Sequence, residues 1–102
     1  MSKNFDTDIE LVAASREVAA AAVASVRRAA AGDEVSKTEL ARRLGMGRQT
    51  ISSHFGKGDM SLSEFIAASL ALGRRPSDLL ADAEGSAPAL ADPDPTTERS
   101  TR

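Results

Sequence analysis

Arg48 and Gln49 open a short polar run that continues through Ser52 and Ser53, and the chemistry open to these side chains is hydrogen bonding to base edges. Arginine can pair bidentately with guanine, glutamine with adenine, and serine with several edges. A good bidentate pair discriminates against the wrong base by about 1–3 kcal/mol. The same stretch holds Thr38, Thr50, Lys57, Arg42 and Arg43, which can contact phosphates and set register without reading sequence. Backbone amides at the starts of two short helices add to that set. Arg42 and Arg43 have a competing use as surface partners of Glu39 or another carboxylate. Lys57 is the best single phosphate candidate.

Such groups are useful only if something presents them, and residues 36–56 supply that frame. Ser36-Lys37-Thr38-Glu39 has the pattern of a capping box that starts a helix running to Leu44. Gly45-Met46-Gly47 forces a turn, and Arg48 to Phe55 starts again. Two short helices joined in this way are the grammar of a helix-turn-helix, whose second helix is laid in a major groove. Leu40, Leu44, Met46 and Ile51 are the apolar positions that can bury the pair. Ala41 is small where the helices cross closely, and Gly45 has no side chain to oppose a left-handed turn. An alanine, a glycine four residues on and an aliphatic six further is a moderately specific spacing.

Charge is segregated along the chain. The net charge is −2, which taken alone argues against nucleic acid. Residues 36–58 nevertheless hold five basic side chains and one acidic one, whereas both flanking segments are net acidic. The cationic third coincides with the helix-turn-helix, as expected where positive charge must meet phosphates while the rest stays soluble.

Around the motif the pattern is helical throughout, so the fold expected is all-α with five helices. Asp6 or Thr7 can cap a long first helix that starts near Asp8 and meets no glycine or proline before Gly32. Ile9, Val12, Ala19, Val23, Val26 and Ala30 make one stripe on it at spacings of three, four or seven. Arg27 and Arg28 lie near its negative end. Ser61-Leu62-Ser63-Glu64 repeats the capping-box pattern. Phe65, Ile66, Ser69, Leu70 and Leu72 give the fourth helix an apolar face that ends at Gly73. Pro76 opens a last helix on which Leu79 and Leu80 are expected to point inward. The folded unit expected is 1–84, followed by a tail over 85–102 in which Pro88, Pro93 and Pro95 oppose a regular helix.

With these elements in place, the chain resembles the lambda-repressor-like, or Xre-type, helix-turn-helix family over Val18 to Ala83. The matching residues are Leu40-Ala41, Leu44-Gly45-Met46-Gly47, Ile51, Phe55-Gly56, Phe65-Ile66, Leu70-Ala71-Leu72-Gly73 and Leu79-Leu80. The resemblance implies a compact five-helix domain whose third helix reads DNA. It also implies a repressor, of the phage-immunity or Cro type, that binds its operator as a homodimer with one subunit per half-site. The chain departs from the family in three places. Gly47 stands at the N-cap of the reading helix where such sequences often place serine, His54 stands where many have an apolar residue, and the helix before Val18 is longer than the family needs.

Other classes of function find little support. There is no cysteine, so disulfides and thiolate metal sites are excluded. A lone imidazole, His54, makes a poor metal site, and no serine, carboxylate and histidine have the spacing of a triad. No cofactor and no enzymatic step are expected. Arg16, Glu17, Arg27 and Arg28 interrupt the alanine-rich stretch, and the acidic residues ahead of it do not suit a signal peptide. A cytoplasmic or nucleoid location in a cell, or in the host of a phage, is therefore expected. The wealth of Ala, Arg, Asp and Gly fits a GC-rich genome. The competing reading is an antitoxin-like DNA-binding regulator that also holds a protein partner through residues 5–16, where Phe5, Ile9, Leu11 and Val12 add apolar surface.

Overall fold

The computed structural model describes residues 8–90, and every regular element among them is helical. α1 spans Asp8–Gly32, α2 Lys37–Leu44, α3 Arg48–Lys57, α4 Leu62–Ala71 and α5 Pro76–Ser86, with a single 3-10 turn at Pro88–Leu90. The five helices match the sequence expectation in number, order and approximate bounds.

Alanine is the strongest helix former, and α1 is built largely from it, with Asp8 and Glu10 facing the positive end of the dipole. The helix stops at Gly32, but the left-handed residue that reverses the chain is Glu34, at φ 59°. The amide of Val35 then returns to the carbonyl of Ala30. Arg27 and Arg28 lie outside the last turn and do not serve the dipole. Arg27 Nη1 instead donates to the carbonyl of Phe55 at 3.3 Å, and Arg28 Nη2 donates to Asp82 at 2.6 Å.

Both expected capping boxes form in one direction only. The hydroxyl of Ser36 accepts from the amide of Glu39, and that of Ser61 from the amide of Glu64, each at 3.1 Å. Neither glutamate returns to its cap residue, because each carboxylate has a charged or ring-nitrogen partner elsewhere. Gly45 takes up the left-handed conformation at φ 68° and its amide donates back to α2, as the turn requires.

α2 and α3 pack on one another, α2 also rests on α4, and α1 runs behind the assembly in contact with α3, α4 and α5. Val23, Val26 and Ala30 of α1 share one core with Leu40 and Ala41 of α2 and Ile51 and Phe55 of α3. Phe65, Ala68, Leu72 and Leu79 complete this core. Leu44 and Met46 cover its edge.

The structure corrects three expectations about packing. Ile9, Val12 and Ala19 begin the apolar stripe of α1, yet all three are exposed, and Ala14 is the first buried residue of the helix. On α4 the face that goes inside is Phe65, Ala68, Ser69 and Leu72, so Ile66 and Leu70 lie outside, and so does Leu80 of α5. The expected tail boundary after residue 84 falls too early. Gly85 and Ser86 finish α5, Ala87 is buried, and the amide of Ala89 donates to Glu17 of α1 at 2.6 Å. Pro88 is compatible with this because it opens a tight turn rather than continuing a helix. The remainder of the expected tail, 91–102, lies outside the described residues, as do Phe5, Asp6 and Thr7.

Candidate nucleic-acid interface

Successive residues on an α-helix turn by about 100°, so residues 49 and 53 of α3 lie opposite 51 and 55, residue 52 falls between the two faces, and residue 48 occupies the first position of the helix. Burial follows this division. Ile51 is 0% exposed and Phe55 4%, whereas Arg48, Gln49, Thr50 and Ser53 are exposed and Ser52 is half-buried. The buried pair fixes how α3 is rotated about its own axis, and that rotation turns the polar face to solvent.

The outward side chains have no intramolecular use. Among the described residues, the side chains of Arg48, Gln49, Ser52 and Ser53 make no hydrogen bond or ion pair, and neither do those of Thr38, Thr50 and Lys57. In a chain this rich in surface pairs, an arginine and a glutamine side by side without partners leave all their donors for an external ligand. Lys37, the first residue of α2, is a further exposed and unpaired cation that the motif analysis passed over. Its position next to Thr38 was the available signal.

The N-terminal ends of α2 and α3 differ. Ser36 satisfies one amide of α2 with its hydroxyl, but Gly47 has no side chain and leaves the first-turn amides of α3 without a side-chain cap. Those amides stand beside Arg48 at the positive end of the helix dipole, a combination that favours an anion.

Arg42 and Arg43 are placed differently from the other phosphate candidates. Both guanidiniums bond to the carboxylate of Glu39, and Arg43 Nη1 also donates to the carbonyl of Ala71 at 3.0 Å. The Arg42 hydrogen bonds, with those of Arg43 second, hold the Glu39 carboxyl below the usual carboxylate range. These two arginines thus have a surface partner, while Lys37, Arg48 and Lys57 do not.

His54 lies on the flank of α3, half-buried, with Nδ1 2.7 Å from Oε2 of Glu64. With Lys57, Asp59, Met60 and Ser61 these two line an open depression beside the end of α3. Among the described residues no group of three or more His, Cys, Asp or Glu is arranged to hold a metal ion, and no helix is long and apolar enough to cross a membrane. Comparison with protein-family models, curated proteins and solved structures gives no match.

Proposed function

We propose that this protein is a sequence-specific double-stranded DNA-binding regulator of transcription, a repressor that occludes its operator by placing α3 in the major groove. One observation carries the reading. α3 is anchored from behind by Ile51 and Phe55 while Gln49 and Ser53 on its outer side and Arg48 at its first position stand exposed and unpartnered. Any surface helix divides its faces in this way, and what favours the reading is that the outward donors of Arg48 and Gln49 have no partner within the chain among the described residues.

In this reading Arg48 and Gln49 read base edges, Ser52 and Ser53 add contacts, and Thr38, Thr50, Lys57 and Lys37 engage phosphates. Arg42 and Arg43 contribute to the field rather than to individual contacts. One such helix reads too few base pairs to find a unique genomic site, so the working unit is a homodimer on two half-sites about 34 Å apart. No metal, cofactor or catalytic step is required.

Titration of labelled duplexes from the DNA flanking its own gene, with footprinting, tests the proposal. Arg48→Ala and Gln49→Ala are expected to remove the preference for one operator while the helical signal is kept. Lys57→Ala is expected to weaken all duplexes alike and to make the salt dependence shallower by about one phosphate contact. Absence of binding to any duplex at low ionic strength defeats the proposal.

A second reading, regulation through a protein partner held by the first helix, rests on the exposure of Ile9, Leu11 and Val12.

A further inference from the structure

α1 outruns the body of the protein. Its apolar stripe is core over Val23, Val26 and Ala30 and then continues along the same side through Ala19 and Val12, where no described element covers it. Ile9 is 82% exposed and Val12 48%. An open, mainly apolar depression on this segment is lined by Asp8, Ile9, Val12, Ala13 and Arg16. Its two ends carry opposite charges, and neither Asp8 nor Arg16 has an intramolecular partner among the described residues.

Three of these five residues, Asp8, Val12 and Arg16, form a self-complementary set. If two copies of the segment lie antiparallel about a two-fold axis at Val12, each residue faces the one equally far on the other side of position 12. Asp8 then meets Arg16 of the second copy, and the same pair recurs at the opposite end about 12 Å away along the helix. Val12 meets itself at the centre, Ile9 flanks it, and Ala13 is small enough to let the two helices approach. A foreign partner would need no such symmetry, whereas an isologous contact demands it.

We infer that the exposed N-terminal half of α1 is the seam of a homodimer, formed by antiparallel pairing of residues 8–16 with Asp8–Arg16 bridges at both ends. This deepens the two-fold part of the function proposed above and rests on it, but it does not depend on DNA binding. A seam of roughly two to three turns falls below the 1,200–2,000 Å² typical of stable complexes, so the free dimer is weak. Two adjacent half-sites raise its effective concentration and tighten it on DNA.

Sedimentation equilibrium of the full chain without DNA, from micromolar to millimolar concentration, tests the inference with three variants of the same two positions. Wild type is expected to show a reversible monomer–dimer equilibrium. Asp8→Arg and Arg16→Asp, confirmed as folded by circular dichroism, each bring like charges together and should raise the dissociation constant by roughly tenfold or more. An equimolar mixture of the two single variants restores every bridge between unlike chains and should recover the dimer. So should the double variant D8R/R16D.

A wild-type chain that stays monomeric throughout overturns the seam and leaves another segment or a foreign protein as its cover. Single variants that dimerise like wild type place the contact elsewhere, for example on the Leu62, Ile66 and Leu70 row of α4. A mixture that fails to associate also overturns it. Duplex titration of the same samples separates the two proposals. Loss of the dimer with DNA binding retained strikes the seam alone, and a dimer that binds no duplex strikes the DNA reading alone.

Discussion

The Nδ1 atom of His54 in α3 lies 2.7 Å from the Oε2 atom of Glu64 in the first turn of α4, so the proposed reading helix is tied to the helix that follows it. The tie spans a loop containing Gly58, whose amide already closes α3 onto the carbonyl of His54. Glu64 is largely enclosed, with 9% of its side chain exposed, and a carboxylate in that position depends on its partner.

Removing either side should therefore cost more than removing the second once the first is gone. His54→Ala and Glu64→Ala are each expected to lower the unfolding free energy by about 1–2 kcal/mol, with a coupling of about 0.5–1.5 kcal/mol in the double variant. Urea denaturation of the four proteins measures it, and strict additivity means that the contact carries no energy.

Glu39 restrains two cations close to the proposed interface. Exposed ion pairs contribute little to stability, so Glu39→Gln should leave the fold intact. With the carboxylate gone, Arg42 and Arg43 become available to phosphates. Affinity for every duplex is expected to rise, and the slope of log K against log salt to steepen by about one to two. An unchanged slope in a salt titration would show that both arginines face away from the DNA.

Three glycines give opposite expectations. Gly58 and Gly73 both have positive φ, at 67° and 70°, where an L side chain costs about 1–2 kcal/mol. A Cβ at Gly73 meets open space, but one at Gly58 comes within 3.0 Å of the Cβ of Ala20 on α1. Gly58→Ala should thus destabilise more than Gly73→Ala. Gly47→Ser has the reverse sign, because φ −75° and ψ 148° suit any residue and the new hydroxyl supplies the missing cap. A gain of a few tenths of a kcal/mol is expected. Midpoints of denaturant unfolding rank the three.

Asp82 provides the acid limb of stability. The hydroxyl of Ser25 donates to it at 2.7 Å, Arg28 donates as well, and together they hold its carboxyl below the usual range. A carboxyl whose folded pKa lies below its unfolded value contributes fully above the unfolded value, and the contribution disappears as pH falls through the folded one. The Tm difference between wild type and Asp82→Asn should accordingly be constant at neutral pH and narrow below about pH 4, near the ordinary aspartate value. A difference independent of pH would assign the effect to shape alone.

The two short helices α2 and α3 and the turn between them were legible because their signals are local. Ser36, Gly45 and Gly47 act on their own neighbours, and the contrast between Ile51 and Gln49 needs only the period of a helix. Packing partners were harder to see. α4 has more apolar residues than one face can bury, so periodicity alone could not separate Phe65 and Leu72 from Ile66 and Leu70. The stripe on α1 is continuous in sequence, but where its cover stops depends on the length of the other helices. Ala87 was missed because a methyl group carries too weak a hydropathy signal to mark a buried position among polar neighbours. Ser25, fully enclosed between α1 and Asp82, was missed for a related reason, since its partner lies far along the chain.

Among the described residues, seven of the fifteen buried apolar side chains are alanines, at positions 14, 29, 30, 41, 68, 83 and 87. A methyl group has no rotamers to surrender, so this interior solidifies with less entropic loss than one filled by leucine or methionine. The same choice removes any slack. At these seven sites the backbone lies close to its neighbours, and an added methylene has to be accommodated by shifting whatever it meets. At these positions the interior works as a spacer gauge, and the separation of the helices beside Ala41 and Ala68 is set by the width of alanine.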